Sequence, residues 1–121
     1  EMEFFPPSRE SSTHFSPVDR YSDKNVQTVK APVKTLKSIC KELNHTAIDL
    51  LKMDIEGAEY EVIDTLEQQS IVINQILIEF HHMYKGISLE DTLKAIDKLR
   101  ELDFELFNIS QRTYEFSFRK K

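Results

Sequence analysis

Two apolar runs, Ala47 to Met53 and Ile71 to Phe80, constrain this chain more than any other feature. Between them, from Gly57 to about Gln69, the pattern turns helical, with Ala58, Val62 and Leu66 on one face and Glu59, Glu61, Glu67 and Gln68 largely outside. Nearly continuous apolar strands are those buried on both faces of a parallel sheet, and Lys52 is the exception within the first run. Two such strands joined by a helix make a βαβ unit with a right-handed crossover. The chain is therefore expected to be α/β, built on two neighbouring parallel strands.

The flanking segments extend that frame. Val26 to Val33 reads as a short strand that Pro32 closes off or marks as an edge. Thr35 is placed to cap a helix whose Leu36, Ile39, Cys40 and Leu43 share a face. Ser88 and Asp91 form a capping-box pattern ahead of a helix with Leu89, Leu93, Ile96 and Leu99 or Leu102 inward. Phe104 to Ile109 and Thr113 to Phe118 are two strands whose short connection predicts an antiparallel hairpin, with Tyr114, Phe116 and Phe118 on one face. The order β-α-β-α-β-α-β-β predicts a three-layer sheet with helices on both faces. Residues 1–25, with scattered Phe4, Phe5, Phe15 and Tyr21, read as an irregular arm, leaving 26–121 as the domain.

Charge and composition remove several function classes. A net charge of -5 gives no basic surface for nucleic acid or an anionic membrane. The apolar runs are all too short to span a bilayer, and the first residues lack a signal-peptide layout. One cysteine, Cys40, excludes an intrachain disulfide and suits a reducing, cytoplasmic setting. With Gly57 and Gly86 as the two glycines, neither a P-loop nor a Gly-x-Gly-x-x-Gly turn can be written.

The chemistry is expected where the two central strands end. Ligands of parallel α/β sheets bind beyond the carboxyl ends of the strands. The first run ends in Asp54-Ile55-Glu56-Gly57 and the second in Glu79-Phe80-His81-His82. Asp54 and Glu56 share one side, as do Glu79 and His81, while Phe80 and His82 take the other. Four such groups at one rim suit acid/base work or a divalent metal. Structural roles compete: carboxylates ahead of a helix stabilise its free amides, Glu79 can pair with Lys52, and Tyr60 can pack on the sheet instead of reaching the cleft.

The stretch Ile48 to Ile63, with its Lys52-Met53-Asp54-Ile55-Glu56-Gly57-Ala58-Glu59 core, and Gln75 to His82 resemble the FkbM family of S-adenosylmethionine-dependent methyltransferases. The terminal hairpin and the Phe-x-Pro-Pro arm are similar to one branch of it. The resemblance implies the carboxy-terminal half of a Rossmann-like class I methyltransferase sheet, the two runs being its fourth and fifth strands and the hairpin its sixth and seventh. It implies Asp54, Glu56 and His81 as catalytic residues, with Glu79, His82 and Tyr60 at a small-molecule methyl acceptor, a metabolite or sugar hydroxyl, and no metal. The family's glycine-containing turn and the acidic residue that holds the ribose are missing, so the cofactor-binding residues stay unassigned. The chain alone is then expected to bind S-adenosylmethionine weakly and to be inactive without an upstream half. Two further readings stand beside this one: a metal-dependent hydrolase using Asp54, Glu56, Glu79 and His81, and a non-catalytic remnant that pairs with another chain through an exposed sheet edge, the edge through which a homo-oligomer could also form.

Overall fold

A computed structural model describes residues 1–7, 14–19 and 26–121. Strand β1 (Met2–Phe4) lies in the arm, followed by β2 (Val29–Ala31) and helix α1 (Leu36–Glu42). Then come β3 (Ala47–Met53), α2 (Glu59–Gln69), β4 (Val72–Glu79), α3 (Leu89–Glu101), β5 (Phe104–Ile109) and β6 (Glu115–Lys120). β1 and β2 form a small antiparallel sheet, and the other four strands form a mixed sheet in the order β3-β4-β6-β5. β3 and β4 run parallel, as the βαβ reading requires, and β6 is antiparallel to both β4 and β5.

One row across the sheet shows where the core lies. Leu51, Ile76, Phe118 and Leu106 are register partners, with Ile76 and Phe118 fully buried at the centre. Ile63 and Leu66 of α2 and Ala95, Ile96 and Leu99 of α3 belong to the same buried cluster. α2 and α3 also touch each other, and Lys98 of α3 bonds the Asp64 carboxylate and carbonyl oxygen at 2.9 Å. Helices on opposite faces of a sheet cannot meet in this way, so these two form one layer. The amide of Lys37 donates to Gln69 Oε1 at 2.9 Å, tying α1 to the far end of α2. The neighbouring row Leu50, Gln75, Arg119 and Glu105 is exposed throughout.

Three expectations change. The three-layer arrangement is not what the described residues build, because α2 and α3 cover the same face. β3 is not an interior strand: among the described residues it pairs with β4 alone, and Leu50 is 52% exposed. The arm is partly ordered, since β1 pairs with β2 and Phe5 bridges Ser16, while Tyr21 lies outside the described residues.

Both long helices are also turned by about one residue from the face their apolar pattern suggested. α3 buries Thr92, Ala95, Ile96 and Leu99 and leaves Leu89 and Leu93 exposed. α2 buries Glu59, Ile63, Leu66 and Gln69. Each buried stripe contains a polar residue with a partner inside: Thr92 Oγ1 lies 2.9 Å from the Tyr60 hydroxyl, and Glu59 bonds His81. A buried polar group is tolerated when it is hydrogen-bonded. The expected caps do form: Thr35 accepts from the Ser38 amide, and Ser88 and Asp91 complete a capping box.

Candidate active site at the ends of β3 and β4

β3 passes into α2 through a left-handed turn. Glu56 has φ 57° and Gly57 φ 106°. A non-glycine residue in that region costs about 1–2 kcal/mol, so something must hold Glu56 there. Two contacts do so. Ser16, fully buried, donates from Oγ to the Glu56 carbonyl at 2.5 Å. Glu59 reaches back from the first turn of α2 and accepts from the Ile55 amide at 2.9 Å and the Gly57 amide at 3.1 and 3.2 Å. These carboxylate bonds satisfy amides of the turn that precedes Ala58, the N-cap of α2. Gly57 is required for space as well as for conformation: a Cβ there would stand 2.6 Å from Val18 Cγ2.

β4 ends beside this turn. The Phe80 amide donates to the Tyr114 carbonyl at 2.8 Å, and the Phe80 ring is buried between Tyr60 and Phe116. His81, next along, is turned toward the β3 turn and is 5% exposed. Its Nδ1 lies 3.0 Å from Glu59 Oε1. Its Nε2 lies 3.9 Å from Asp54 Oδ1 and 3.9 Å from Glu56 Oε2. The Glu56 carboxylate also meets His14 Nδ1 at 3.0 Å and accepts from the Tyr84 hydroxyl. Asp54 is the accessible member at 38% side-chain exposure, with Lys52 Nζ 3.6 Å from its Oδ2.

The electrostatics follow from this packing. Burial pulls His81 down, but the hydrogen bond and charge of Glu59, aided by Glu56 and Glu79, outweigh it and hold the imidazole above its ordinary value. Burial likewise pushes Glu59 up, and the bond to His81, with the Ile55 amide, reverses that and holds it below the ordinary carboxyl value. In the charged ring both nitrogens are donors, Nδ1 to Glu59 and Nε2 toward Asp54 and Glu56; in the neutral ring with its proton on Nδ1, Nε2 presents a lone pair to the same side.

The structure brings Asp54, Glu56 and His81 together, with one ligand atom from each within 4.8 Å of the others. It does not add the rest of the expected set. Glu79 ends β4 opposite Glu115 and is outside that group, and Lys52 lies near Asp54, not in the pair foreseen with Glu79. Tyr60 and His82 converge instead on Thr92, His82 Nδ1 at 3.4 Å with its ring against Tyr114. Burial raises the Tyr60 phenol above its ordinary value. Tyr60 also lines an open cleft of about 520 Å³ on the other side of Gly57, with Val18, Lys85, Ile87 and Asp91.

Two contributions escaped the sequence reading. Glu59, placed outside by its helical pattern, is 0% exposed and anchors both the turn and His81. Its spacing to Ile63 and Leu66, i+4 and i+7, was the available signal. The arm, through His14, Ser16 and Val18, walls the site, and nothing in its composition marks that role. No described helix is long and apolar enough to cross a membrane.

A family model described as the methyltransferase FkbM domain matches residues 1–106. Over 85 residues the chain is 32% identical to a rat (Rattus norvegicus) protein named "Probable methyltransferase-like protein 24". Over the same length it is 29% identical to the human (Homo sapiens) protein of that name. Each alignment covers 62% of this chain and 23% of the relative, so the chain spans about a quarter of the length of the curated relatives it matches. No solved structure matches.

Proposed function

The chain belongs to the FkbM methyltransferase domain family, and from that premise we propose that it contributes the acceptor side of an S-adenosylmethionine-dependent O-methyltransferase acting on a hydroxyl of a sugar or other small metabolite. In this reading the strand order β3-β4-β6-β5 corresponds to the fourth, fifth, seventh and sixth strands of a Rossmann-like class I sheet, closed by the β5–β6 hairpin. The observation that carries it is the meeting of Asp54, Glu56 and His81 at adjacent carboxyl ends of parallel strands, where such sheets bind their ligands.

The cofactor fits this side of the site by charge, since a sulfonium is cationic and Asp54 and Glu56 present carboxylates. When bound it supplies an electrophilic methyl group. The chain's own residues then do the rest. Asp54, the accessible carboxylate, orients the acceptor hydroxyl and receives its proton. His81, held by Glu59, fixes the charge behind it, and the Glu59 clamp keeps the turn in register. Alignment of the acceptor oxygen is worth several kcal/mol of barrier, of the order known for well-oriented reactants. The residues that hold the adenosine are not assigned.

The test is incubation of a protein that carries this chain together with a cofactor-binding half with methyl-labelled S-adenosylmethionine and a panel of hydroxyl and amine acceptors, read by mass spectrometry. O-methylated product is expected. Label found on nitrogen alone, or acceptor hydrolysis that proceeds without the cofactor, would overturn the reading.

A further inference from the structure

His81 Nε2 is a buried polar atom that makes no hydrogen bond among the described residues and lies 3.9 Å from each of two carboxylate oxygens. That separation is too long for direct bonds. It is close to the span of ligand atoms sharing one cation, which stand about 2.0–2.2 Å from a zinc-sized ion. From this juxtaposition we propose that Asp54, Glu56 and His81 form a binding site for a divalent first-row cation of the manganese or zinc type.

Three observations shape the site beyond its acidity. One imidazole with two carboxylates suits manganese or zinc better than magnesium, which prefers oxygen donors. Glu59, at 3.0 Å from His81 Nδ1, takes the ring's other nitrogen, the carboxylate–histidine arrangement that fixes which nitrogen faces a metal. The Tyr84 hydroxyl donates to Glu56 Oε2 and orients that carboxylate beside His81. The three ligand atoms lie within 4.8 Å of one another, so a closure of roughly a few tenths of an ångström brings them onto one ion.

Three protein ligands leave coordination positions open on the side where Asp54 is exposed. An acceptor hydroxyl bound there would be made more acidic by the cation, its proton passing to the second Asp54 oxygen or to water. This role for the cation rests on the methyltransferase reading; the binding itself does not.

The experiment is titration of the metal-stripped 121-residue chain with Mn2+ by calorimetry and electron paramagnetic resonance, with folding followed by circular dichroism. A single saturable site is expected, weakened at least about tenfold by Asp54→Asn and by His81→Asn and left intact by Asp49→Asn on the exposed part of β3. Asp54→Asn keeps the test decisive should the His81 variant fail to fold. No saturable Mn2+ binding, or binding unchanged in Asp54→Asn, overturns the site. Methyl transfer that proceeds undiminished after chelation overturns its catalytic role and leaves the methyltransferase reading standing. Mn2+ binding without any transfer by a protein that carries the cofactor-binding half leaves the site standing and overturns the methyltransferase reading together with the catalytic role that rests on it.

Discussion

Glu59→Gln separates a buried anchor from a solvated helix residue. The carboxylate accepts from the Ile55 amide at 2.9 Å, from the Gly57 amide at 3.1 and 3.2 Å and from His81 Nδ1 at 3.0 Å. An amide of the same shape keeps one acceptor oxygen and replaces the other with an NH2 donor, which must face an N–H of Gly57 or His81. At least one buried donor then goes unpaired, at about 1–3 kcal/mol, and the bonds that survive lose their charge assistance. The expected loss is about 2–3 kcal/mol, a fall in Tm of roughly 10 °C for a domain of this size. Urea denaturation of both forms at pH 6 measures it. A change within about 0.5 kcal/mol, the range of surface substitutions, would refute the anchoring role.

Three further outcomes are expected. In metal-free protein, Glu59 is held below its ordinary 4.5, so its contribution is present above that pH and lost as pH falls through the lowered value. His81 is held above its ordinary 6.5, so its contribution is full below that pH and lost as pH rises through the raised value. The stability gap between wild type and Glu59→Gln should therefore peak between pH 4.5 and 6.5 and shrink on the alkaline side, and a flat gap up to pH 9 contradicts the pairing. Gly57→Ala meets φ 106° and a 2.6 Å approach to Val18, and should cost about 1–3 kcal/mol in thermal melts. Ser88→Ala removes the capping box of α3 and should cost about 1 kcal/mol, detectable as a lowered urea midpoint with the m value unchanged.

What could be read in advance was local. The two apolar runs gave parallel neighbours, and Thr35, Ser88 and Asp91 cap the helices their spacing announces. Asp54, Glu56 and His81 meet because residues just past the ends of paired parallel strands have little room to separate. The misses share one physical cause, a partner distant in sequence. Glu59 is buried because His81, 22 residues on, takes its charge, and Thr92 because Tyr60, 32 residues back, takes its hydroxyl. Hydropathy periodicity counts both as surface residues and so turns each helix the wrong way. Ser16 bonds a carbonyl 40 residues away, which is why the arm's part in the site left no trace in its composition. The position of β3 depends on which strands flank it, and an apolar run such as Ala47 to Met53 reads the same at an edge as in the interior.

The central claim is that the strand-end carboxylate works on a methyl acceptor, and Asp54→Ala tests it most directly. Asp54 is 38% exposed and, among the described residues, its ion pairs are with Lys52 at 3.6 Å and His81 at 3.9 Å, so the substitution should leave the circular dichroism spectrum and melting temperature near wild type. The measurement is methyl transfer from labelled S-adenosylmethionine by the wild-type and Asp54→Ala forms side by side, each in a protein that carries this chain together with a cofactor-binding half. The account predicts a fall in turnover of at least about 100-fold, the usual scale for losing a proton-accepting group, with folding unchanged. Undiminished turnover in a folded Asp54→Ala protein would contradict it.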